Sequence, residues 1–272
     1  MSPTTVSDSW VRGDPYERYV GRWSRAVAPR FLHWLNIAAG RRWLDVGCGT
    51  GALSAAILDH CAPAAVTGVE PSDGFRATAA AALAGRVALA AGTATAIPLA
   101  DASVDVVVSG LVLNFVPDAA AGLAEMKRVS TPGGTIGAYV WDYAGKMELM
   151  RHFWDAAVAL EPAAAQHDEG IRFPLCQSDA LRRLFSEAGL DSVETTAIEV
   201  PTLFETFEDY WTPFEGGQGP APTYAMSLSA AARVRLRDAL RERLQREADG
   251  SIRLMARAWG IRGSVARPAP SR

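Results

Sequence analysis

The sequence predicts an α/β fold, built on a seven-stranded, mostly parallel sheet with helices on both faces and helical or aromatic lid segments. Short apolar or β-branched runs alternate with alanine-rich stretches that are long enough for helices, which is the pattern of strand–helix–strand units. The strongest strand candidate, residues 104–109, is an apolar run typical of a strand that is buried on both faces. A glycine-rich turn follows the first predicted strand, at the edge where such sheets bind ligands.

Turn and helix-start signals separate the predicted elements. The turn Pro132-Gly133-Gly134 precedes the fifth strand, and Gly189 closes the helix before the sixth. The predicted strands are residues 42–46, 65–69, 86–91, 104–109, 135–141, 192–200 and 252–261. The predicted helices include residues 51–60, 118–129 and 178–188, and another that begins near Pro71.

Two segments fall outside this alternation, about residues 1–36 and 201–250, and both are rich in aromatic residues or arginine. We interpret residues 1–272 as one domain, with a core at about residues 37–200 and 251–263. The two segments either cap the carboxyl edge of the sheet or simply cover apolar surface, and the sequence leaves both interpretations open.

Composition narrows the classes of partner. A formal net charge of −3 gives no electrostatic basis for holding nucleic acid. Three cysteines without a CxxC pair or metal-ligand spacing suit a reducing cytoplasm and predict no metal site. The first residues lack the apolar core of a secretory signal, and no stretch is apolar enough to span a membrane. We therefore expect a cytoplasmic protein with a small-molecule partner.

The segment WLDVGCGTG, residues 43–51, carries the chemistry. A strand that ends at Val46 leads into Gly47, Gly49 and Gly51, and glycines there let a ligand approach backbone N–H groups closely. The same stretch also satisfies the loose dinucleotide pattern G-x-G-x-x-A, with Ala52 as its last member. Glycine spacing alone therefore leaves two cofactor classes open.

The segment LDVGCGTG, residues 44–51, resembles motif I of class I S-adenosylmethionine-dependent methyltransferases, in which an acidic residue precedes the first glycine by two positions. The resemblance continues at VEPS (69–72), LADASVD (99–105), EMKRV (125–129) and PGG (132–134), where it is closest to the type 11 branch. It spans roughly residues 40–141. It implies a Rossmann-like fold, S-adenosylmethionine as the cofactor, and methyl transfer to a small organic acceptor.

The resemblance also implies roles for single residues. Asp45 would orient the glycine turn and approach the methionine amino group, and Glu70 would accept hydrogen bonds from both ribose hydroxyls. A helix N-terminal charge is the alternative for Glu70. The implied cofactor-binding residues are Asp45, Gly47, Cys48, Gly49, Gly51, Glu70, Pro71, Thr93, Ala94, Ser109, Gly110, Leu111, Tyr19 and Trp23.

One position departs from the family pattern. The family commonly has Gly-Asp-Ala where this chain has Gly92-Thr93-Ala94, so a hydroxyl replaces the aspartate that binds the adenine amino group. The backbone of Ala94 remains available to the adenine ring. Tyr19 and Trp23, together with Tyr16, resemble the aromatic segment by which many type 11 enzymes close over the cofactor.

The sequence says less about the residues that bind the methyl acceptor than about those that bind the cofactor. A base is needed only if the acceptor must lose a proton, and the possible bases are His152, Asp142 and Glu148. Asn114 is a further candidate for the acceptor side, with a satisfied loop asparagine as the alternative. Aromatic residues that either line a pocket for a flat or apolar acceptor or pack as ordinary core are Trp141, Tyr143, Phe153, Trp154, Phe173, Phe204, Phe207, Tyr210, Trp211 and Phe214.

Three hypotheses follow from the sequence. The first is a small-molecule methyltransferase whose acceptor and oligomeric state the sequence does not identify. The second is an NAD(P)-dependent oxidoreductase, although neither Lys127 nor Lys146 has a tyrosine four residues earlier. The third is a catalytically silent protein that retains the cofactor site.

Overall fold

The computed structural model describes residues 21–217 and 219–267, without the side chain of Arg22. In this part of the chain, seven strands form one sheet with the order β3-β2-β1-β4-β5-β7-β6. The strands are β1 (Arg42–Val46), β2 (Ala65–Val69), β3 (Ala88–Ala90), β4 (Val104–Gly110), β5 (Ser130–Trp141), β6 (Asp191–Phe204) and β7 (Ile252–Ser264). Strands β1 to β5 pair in parallel, whereas β7 is antiparallel to both β5 and β6. The predicted fold class is confirmed.

Ten α-helices connect or cover the strands in the described residues. They are α1 (Arg22–Leu35), α2 (Ala52–His60), α3 (Asp73–Leu83), α4 (Ala119–Val129), α5 (Glu148–Leu160), α6 (Glu169–Arg172), α7 (Ser178–Glu187), α8 (Phe207–Trp211), α9 (Pro220–Ser227) and α10 (Ala230–Arg243). Short 3₁₀ turns lie at Leu113–Phe115, Pro162–His167 and Thr212–Gly216. None of these helices combines the length and the apolar character needed to cross a bilayer.

The sequence located most strands closely. Predicted and observed bounds agree for β1 and β2, and β4 extends one residue beyond its prediction. The prediction of a turn at Pro132-Gly133-Gly134 before the fifth strand was wrong, because β5 already begins at Ser130. The turn residues form a bulge inside the strand: Val104 pairs with Ser130, and Val106 pairs with Thr135. Gly133 provides the left-handed conformation there, with φ +78°.

The core lies on both faces of the central strands. Leu44, Val107 and Ile136 have no exposed surface, because β1, β4 and β5 are flanked by strands on each side and by helices above and below. The carboxyl ends of these parallel strands consequently meet at one edge of the sheet, where the connecting turns are free to hold a ligand.

The first segment outside the regular alternation covers a face of the sheet and also reaches its edge. Along α1, Phe31 and Leu35 pack against Gly137 of β5, where an added Cβ would lie 3.0 Å from each. The first turn of α1 instead places Ser24 at the large cavity described below. Tyr16 and Tyr19 lie outside the described residues. The proposed division into one core and two caps stays a prediction.

The second such segment is mostly packed core. Phe214 stacks on Phe153 of α5 with 4.5 Å between ring centroids, and the Tyr210 hydroxyl donates to the Leu149 carbonyl oxygen at 2.9 Å. Helix α10 contributes buried Leu236. Apolar burial of this kind is what holds α8 to α10 against α5.

Candidate active site

The glycine turn after β1 is fixed by the neighbouring strand. The N–H groups of Gly47 and Cys48 donate to the Val69 carbonyl oxygen at 2.7 and 3.1 Å. Gly47 and Gly49 have φ of +72° and +54°, the left-handed region that favours glycine. A Cβ on Gly47 would lie 2.6 Å from Val112, whereas one on Gly49 would meet no atom within 4 Å. Gly49 therefore faces open space, and its lack of a side chain leaves that space clear.

Glu70 follows β2 and links the turn to helix α3. Its Oε2 accepts from the Gly49 N–H at 3.1 Å and its Oε1 from the Ser72 N–H at 2.9 Å. The side chain is buried. Ser72 is itself the N-cap of α3, since its hydroxyl accepts from the Phe75 N–H. Glu70 thus holds the two neighbouring turns in one arrangement, whatever else it binds.

Asp45 is a buried carboxyl with one oxygen unsatisfied. Its Oδ2 accepts from the Ser54 hydroxyl at 2.7 Å, but its Oδ1 has no hydrogen-bond partner among the described residues. The residue is 1% exposed. Burial raises the pKa of Asp45 to about 7, and the Ser54 hydrogen bond opposes that rise. A cationic ligand group beside Oδ1 would supply the missing partner.

The loop that carries Thr93 and Ala94 is held by a guanidinium. Arg128 donates to the carbonyl oxygens of Ile97 and Leu99, both at 2.9 Å, and pairs with Glu125. This pairing lowers the pKa of Glu125 to about 2. The segment EMKRV (125–129), which resembles the family pattern, therefore holds the loop against α4 in this structure.

A cavity of about 610 Å³ opens beside these groups. One part of its lining, here called the turn wall, comes from the end of β1 and the turns after β1, β2 and β3, and it comprises Asp45, Gly47, Gly49, Glu70 and Thr93. Another part, the aromatic wall, comes from β5 and the segments after it and comprises Tyr139, Trp141, Tyr143, Met150 and Glu169. Pro220 of α9 also lines the cavity. A cavity of this size is typical of small-molecule sites.

Most of the predicted cofactor residues lie together in this lining. Those that line the cavity are Asp45, Gly47, Cys48, Gly49, Glu70, Pro71, Thr93, Ala94, Gly110 and Leu111. Ser109 does not line it, because the hydroxyl of this buried residue donates to the Val46 carbonyl oxygen at 2.9 Å. Gly51 packs behind the turn, where a Cβ would lie 2.8 Å from Leu83. Trp23 packs edge-on against Phe204 with 5.5 Å between centroids and lies outside the lining.

The structure does not bring the predicted catalytic candidates to the cavity. Asp142 forms an ion pair with Arg257 at 2.6 Å and accepts from the Lys146 N–H at 2.8 Å, which is a structural arrangement. His152 lies on α5 away from the lining, and burial, reinforced by nearby Arg243, lowers its pKa. Asn114 lies in the 3₁₀ turn after β4 and is likewise absent from the lining.

The predicted aromatic cluster divides in a similar way. Trp141 and Tyr143 line the cavity, and Phe173 stands behind it, 5.1 Å from the lining residue Phe115 between ring centroids. Seven of the ten aromatic residues instead pack in the core or against the cap helices: Phe153, Trp154, Phe204, Phe207, Tyr210, Trp211 and Phe214. For those seven, core packing describes their position.

Sequence reasoning missed Glu169. This residue begins the one-turn helix α6, is 1% exposed and lines the cavity. Burial raises its pKa to about 8, against the opposing hydrogen bond from the Trp154 Nε1–H. The sequence offered no periodicity or motif around residue 169, because a single turn between irregular segments leaves no such signal. In the described residues, no group of three or more histidines, cysteines or acids is arranged to hold a metal ion.

The fold and this cavity define a Rossmann-like domain that binds a ligand at the carboxyl edge of its sheet. Residues 44–137 match the family model Methyltransf_11, a methyltransferase domain. An uncharacterized methyltransferase of Mycobacterium tuberculosis is 39% identical over 126 residues, which are 45% of this chain and 50% of that protein. The chain thus spans about half the length of such curated relatives. A demethylmenaquinone methyltransferase of Staphylococcus aureus is 28% identical over 177 residues, 60% of this chain and 73% of that protein.

Solved structures agree on the fold. The YcgJ protein of Bacillus subtilis superposes with a TM-score of 0.56 at 16% identity, over 90% of this chain and 99% of that one. Phosphoethanolamine N-methyltransferase 2 of Haemonchus contortus, solved with S-adenosyl-L-methionine, gives 0.57 at 18% identity, over 97% and 58%. Residues 44–137 thus match a methyltransferase domain, and most of the chain shares its fold with these solved structures.

Proposed function

We propose that this protein transfers a methyl group from S-adenosylmethionine to a small organic acceptor bound in the cavity. The observation that carries the proposal is the buried, unsatisfied Oδ1 of Asp45, beside a glycine turn with open space at Gly49. A ligand that brings an ammonium group to Asp45 relieves the cost of that orphaned acceptor. Bound S-adenosylmethionine supplies a methyl group on a cationic sulfur.

The residues of the turn wall fit the parts of that cofactor. Asp45 would bind the ammonium group, and the backbone at Gly47 and Gly49 would meet the aminoacyl end. Glu70 would accept from the ribose hydroxyls, since a carboxylate is an acceptor-only group. Its oxygens already accept backbone N–H groups, and each carboxylate oxygen has room for a second hydrogen bond.

Two further assignments concern the adenine ring and the sulfur of the cofactor. Thr93 and Ala94 would lie beside the adenine ring, and Gly110 and Leu111 near the sulfur, because all four line the cavity on neighbouring strand ends. Cys48 and Pro71 would also contact the cofactor, because both line the cavity. Ser109 supports the turn through its hydrogen bond to Val46.

The chain contributes to the reaction mainly by positioning. In-line transfer requires the acceptor to be held against the methyl group and water to be kept out. The aromatic wall supplies an apolar surface for both purposes, and its rings suit a flat or apolar acceptor. The names of two methyltransferases that resemble this chain, for demethylmenaquinone and phosphoethanolamine, are consistent with a small acceptor.

Titration calorimetry with S-adenosylmethionine, S-adenosylhomocysteine and NAD tests the proposal. We expect saturable binding of the first two and none of NAD, with a loss of roughly 1.5–3 kcal/mol in Glu70→Ala, the scale of hydrogen bonds to a charged group. Glu187→Ala, on the exposed end of α7, is the matched control. Binding of NAD alone would favour the oxidoreductase. Cofactor binding without turnover across phenols, amines, acids and carbon nucleophiles would favour a silent protein.

A further inference from the structure

Glu169 is another buried carboxyl in the lining of the cavity. Like Asp45 it is almost completely buried and forms no salt bridge with the described residues, but it belongs to the aromatic wall instead of the turn wall. Its Oε2 accepts the Trp154 Nε1–H. Its Oε1 has no hydrogen-bond partner among the described residues. Buried polar groups nearly always have a hydrogen-bond partner, so an acceptor without one in a cavity wall indicates that a ligand supplies the donor.

The Trp154 indole keeps this carboxyl in place. Phe153 meets the indole edge-on at 5.1 Å, and Tyr224 of α9 lies 5.3 Å from it. Trp154 has no exposed surface. Because the indole is confined, the Glu169 oxygen that it binds is confined too, and the second oxygen keeps a fixed position.

The surrounding charges do not neutralise Glu169. The charged and titratable side chains near it are Arg151, His167, Asp168, Arg172 and Cys176. Arg151 forms an ion pair with Asp168, with 2.6 Å between Nη2 and Oδ2. Asp168 raises the pKa of Glu169 and Arg172 lowers it, but burial is the largest influence. With its pKa raised to about 8, the carboxyl is mostly protonated at neutral pH and ionises as the pH rises further.

The position of Glu169 relates it to the acceptor. The other members of the aromatic wall are apolar or aromatic, and they belong to β5, the segment after it and α5. The turn wall has its own carboxyls, Asp45 and Glu70, for the cofactor that we propose. A ligand on the aromatic wall would meet a mostly apolar surface with one carboxyl in it.

We propose that Glu169 is an acceptor-binding residue: its Oε1 accepts a hydrogen bond from an O–H or N–H group of a methyl acceptor that is otherwise apolar. This inference rests on the proposed function. It predicts that the acceptor carries at least one hydrogen-bond donor on a largely apolar, ring-sized body. A purely structural carboxyl, kept protonated and serving only Trp154, would bind no such group.

Two probes of matched shape separate these cases. 2-Naphthalenemethanol has one hydroxyl donor, and its methyl ether presents only an acceptor oxygen. Calorimetry is done at pH 9, where the carboxyl is ionised, on the full chain saturated with S-adenosylhomocysteine, for the parent, Glu169→Gln and the exposed control Glu187→Gln. We expect the parent and the control to prefer the alcohol by about tenfold, the scale of a hydrogen bond to a charged group.

Glu169→Gln should reverse the polarity of the site. The Trp154 N–H needs an acceptor, so the glutamine oxygen stays on it and the amide nitrogen takes the place of the free Oε1. A donor then faces the probe, and the preference for the alcohol should disappear or pass to the ether. Affinity for S-adenosylhomocysteine should stay within about twofold of the parent, which reports that the variant is folded.

A second readout needs no variant. The alcohol does not ionise between pH 6 and 9, so a preference that arises from Glu169 should grow severalfold over that range as the carboxyl ionises and becomes a stronger acceptor. Equal affinity of the parent for the two probes, no binding of either at millimolar concentration, or an unchanged preference in Glu169→Gln would each overturn the inference. Failure of the parent to bind S-adenosylhomocysteine would overturn the proposed function as well.

Discussion

The two walls of the cavity are built by different means. The turn wall comes from short turns directly after parallel strands, and its groups interact over small distances along the chain or across adjacent strands, as Gly49 and Glu70 do at 3.1 Å. The aromatic wall gathers Trp141 at the end of β5, Met150 on α5 and Glu169 on α6, and α9 packs behind it through Tyr224. The turn wall is set by local backbone conformation, and the aromatic wall by tertiary packing.

This difference suggests that the two walls bind different ligands. A turn with three left-handed glycines accepts few sequences, which suits a cofactor common to a family. A wall assembled from separate helices can change one side chain at a time, which suits an acceptor particular to one protein. Variants in one wall should therefore leave the other wall unaffected. The predictions below test each wall, and Trp154→Phe tests whether the two are independent.

The largest effect is expected at Gly49. In Gly49→Val the new side chain enters the open space of the turn wall, and S-adenosylmethionine affinity should fall by roughly 100-fold, or about 3 kcal/mol. Gly40→Val is the control, because Gly40 also has positive φ and open surroundings but lies outside the cavity. Both should lose about 1–2 kcal/mol of stability through backbone strain. Equal cofactor affinity in the two variants would contradict the assignment of Gly49.

Asp45→Asn should produce the next largest effect. Asparagine keeps an acceptor for the Ser54 hydroxyl but removes the charge, so cofactor affinity should fall by about 1.5–3 kcal/mol. The ligand-free variant should be more stable than the parent above pH 7, because it no longer buries a carboxylate. Calorimetry and urea denaturation measure the two changes, with exposed Asp59→Asn near the end of α2 as the control. A loss of both affinity and stability would indicate a structural role instead.

Trp154→Phe probes the aromatic wall. It leaves Glu169 without its observed donor, and an unsatisfied buried acceptor costs about 1–3 kcal/mol of unfolding free energy. Cofactor affinity should stay within about twofold of the parent, because no turn-wall residue is touched. Trp211→Phe is a matched control: its indole donates at 2.9 Å to Glu215, an exposed residue that water can satisfy. A large fall in cofactor affinity for Trp154→Phe would show that the walls are coupled.

The smallest effect is a pH dependence of stability. The folded pKa values of Asp45 and Glu169, about 7 and about 8, lie above the ordinary values of 3.8 and 4.5. The stability that these two groups contribute is therefore complete below the ordinary values and is lost as pH rises through the folded ones. Urea denaturation from pH 4.5 to 8.5 should show the parent losing at least about 1 kcal/mol relative to the double variant Asp45→Asn/Glu169→Gln.

His152 acts in the opposite direction, because burial lowers its pKa and stability is gained as it loses its proton. It is present in both proteins, so the difference between their curves isolates the two carboxyls. Saturating S-adenosylhomocysteine should reduce the part that comes from Asp45, since its ammonium group favours the charged form. If stability depends on pH in the same way with and without the ligand, Asp45 does not bind the ammonium group.

Strand prediction succeeded where a run is short, apolar and ended by a turn, as at β1 and β2. It failed at Pro132-Gly133-Gly134, because these residues form a bulge inside β5, where Gly133 and Gly134 hydrogen-bond to Val265 just after β7. The family resemblance implied that Ser109 lines the cofactor, whereas its hydroxyl donates to the Val46 carbonyl oxygen on the adjacent strand. A sequence does not show which way a strand-end side chain points.

By itself the sequence determined the fold class, the glycine turn and the acidic residues beside it, because those features depend on a few consecutive residues and on backbone conformations that glycine adopts most readily. Only the tertiary structure decided that Asp142 is tied to Arg257 outside the cavity and that Glu169 stands in its wall. Both outcomes follow from contacts between segments far apart in the chain, and their energies depend on packing that no local pattern records.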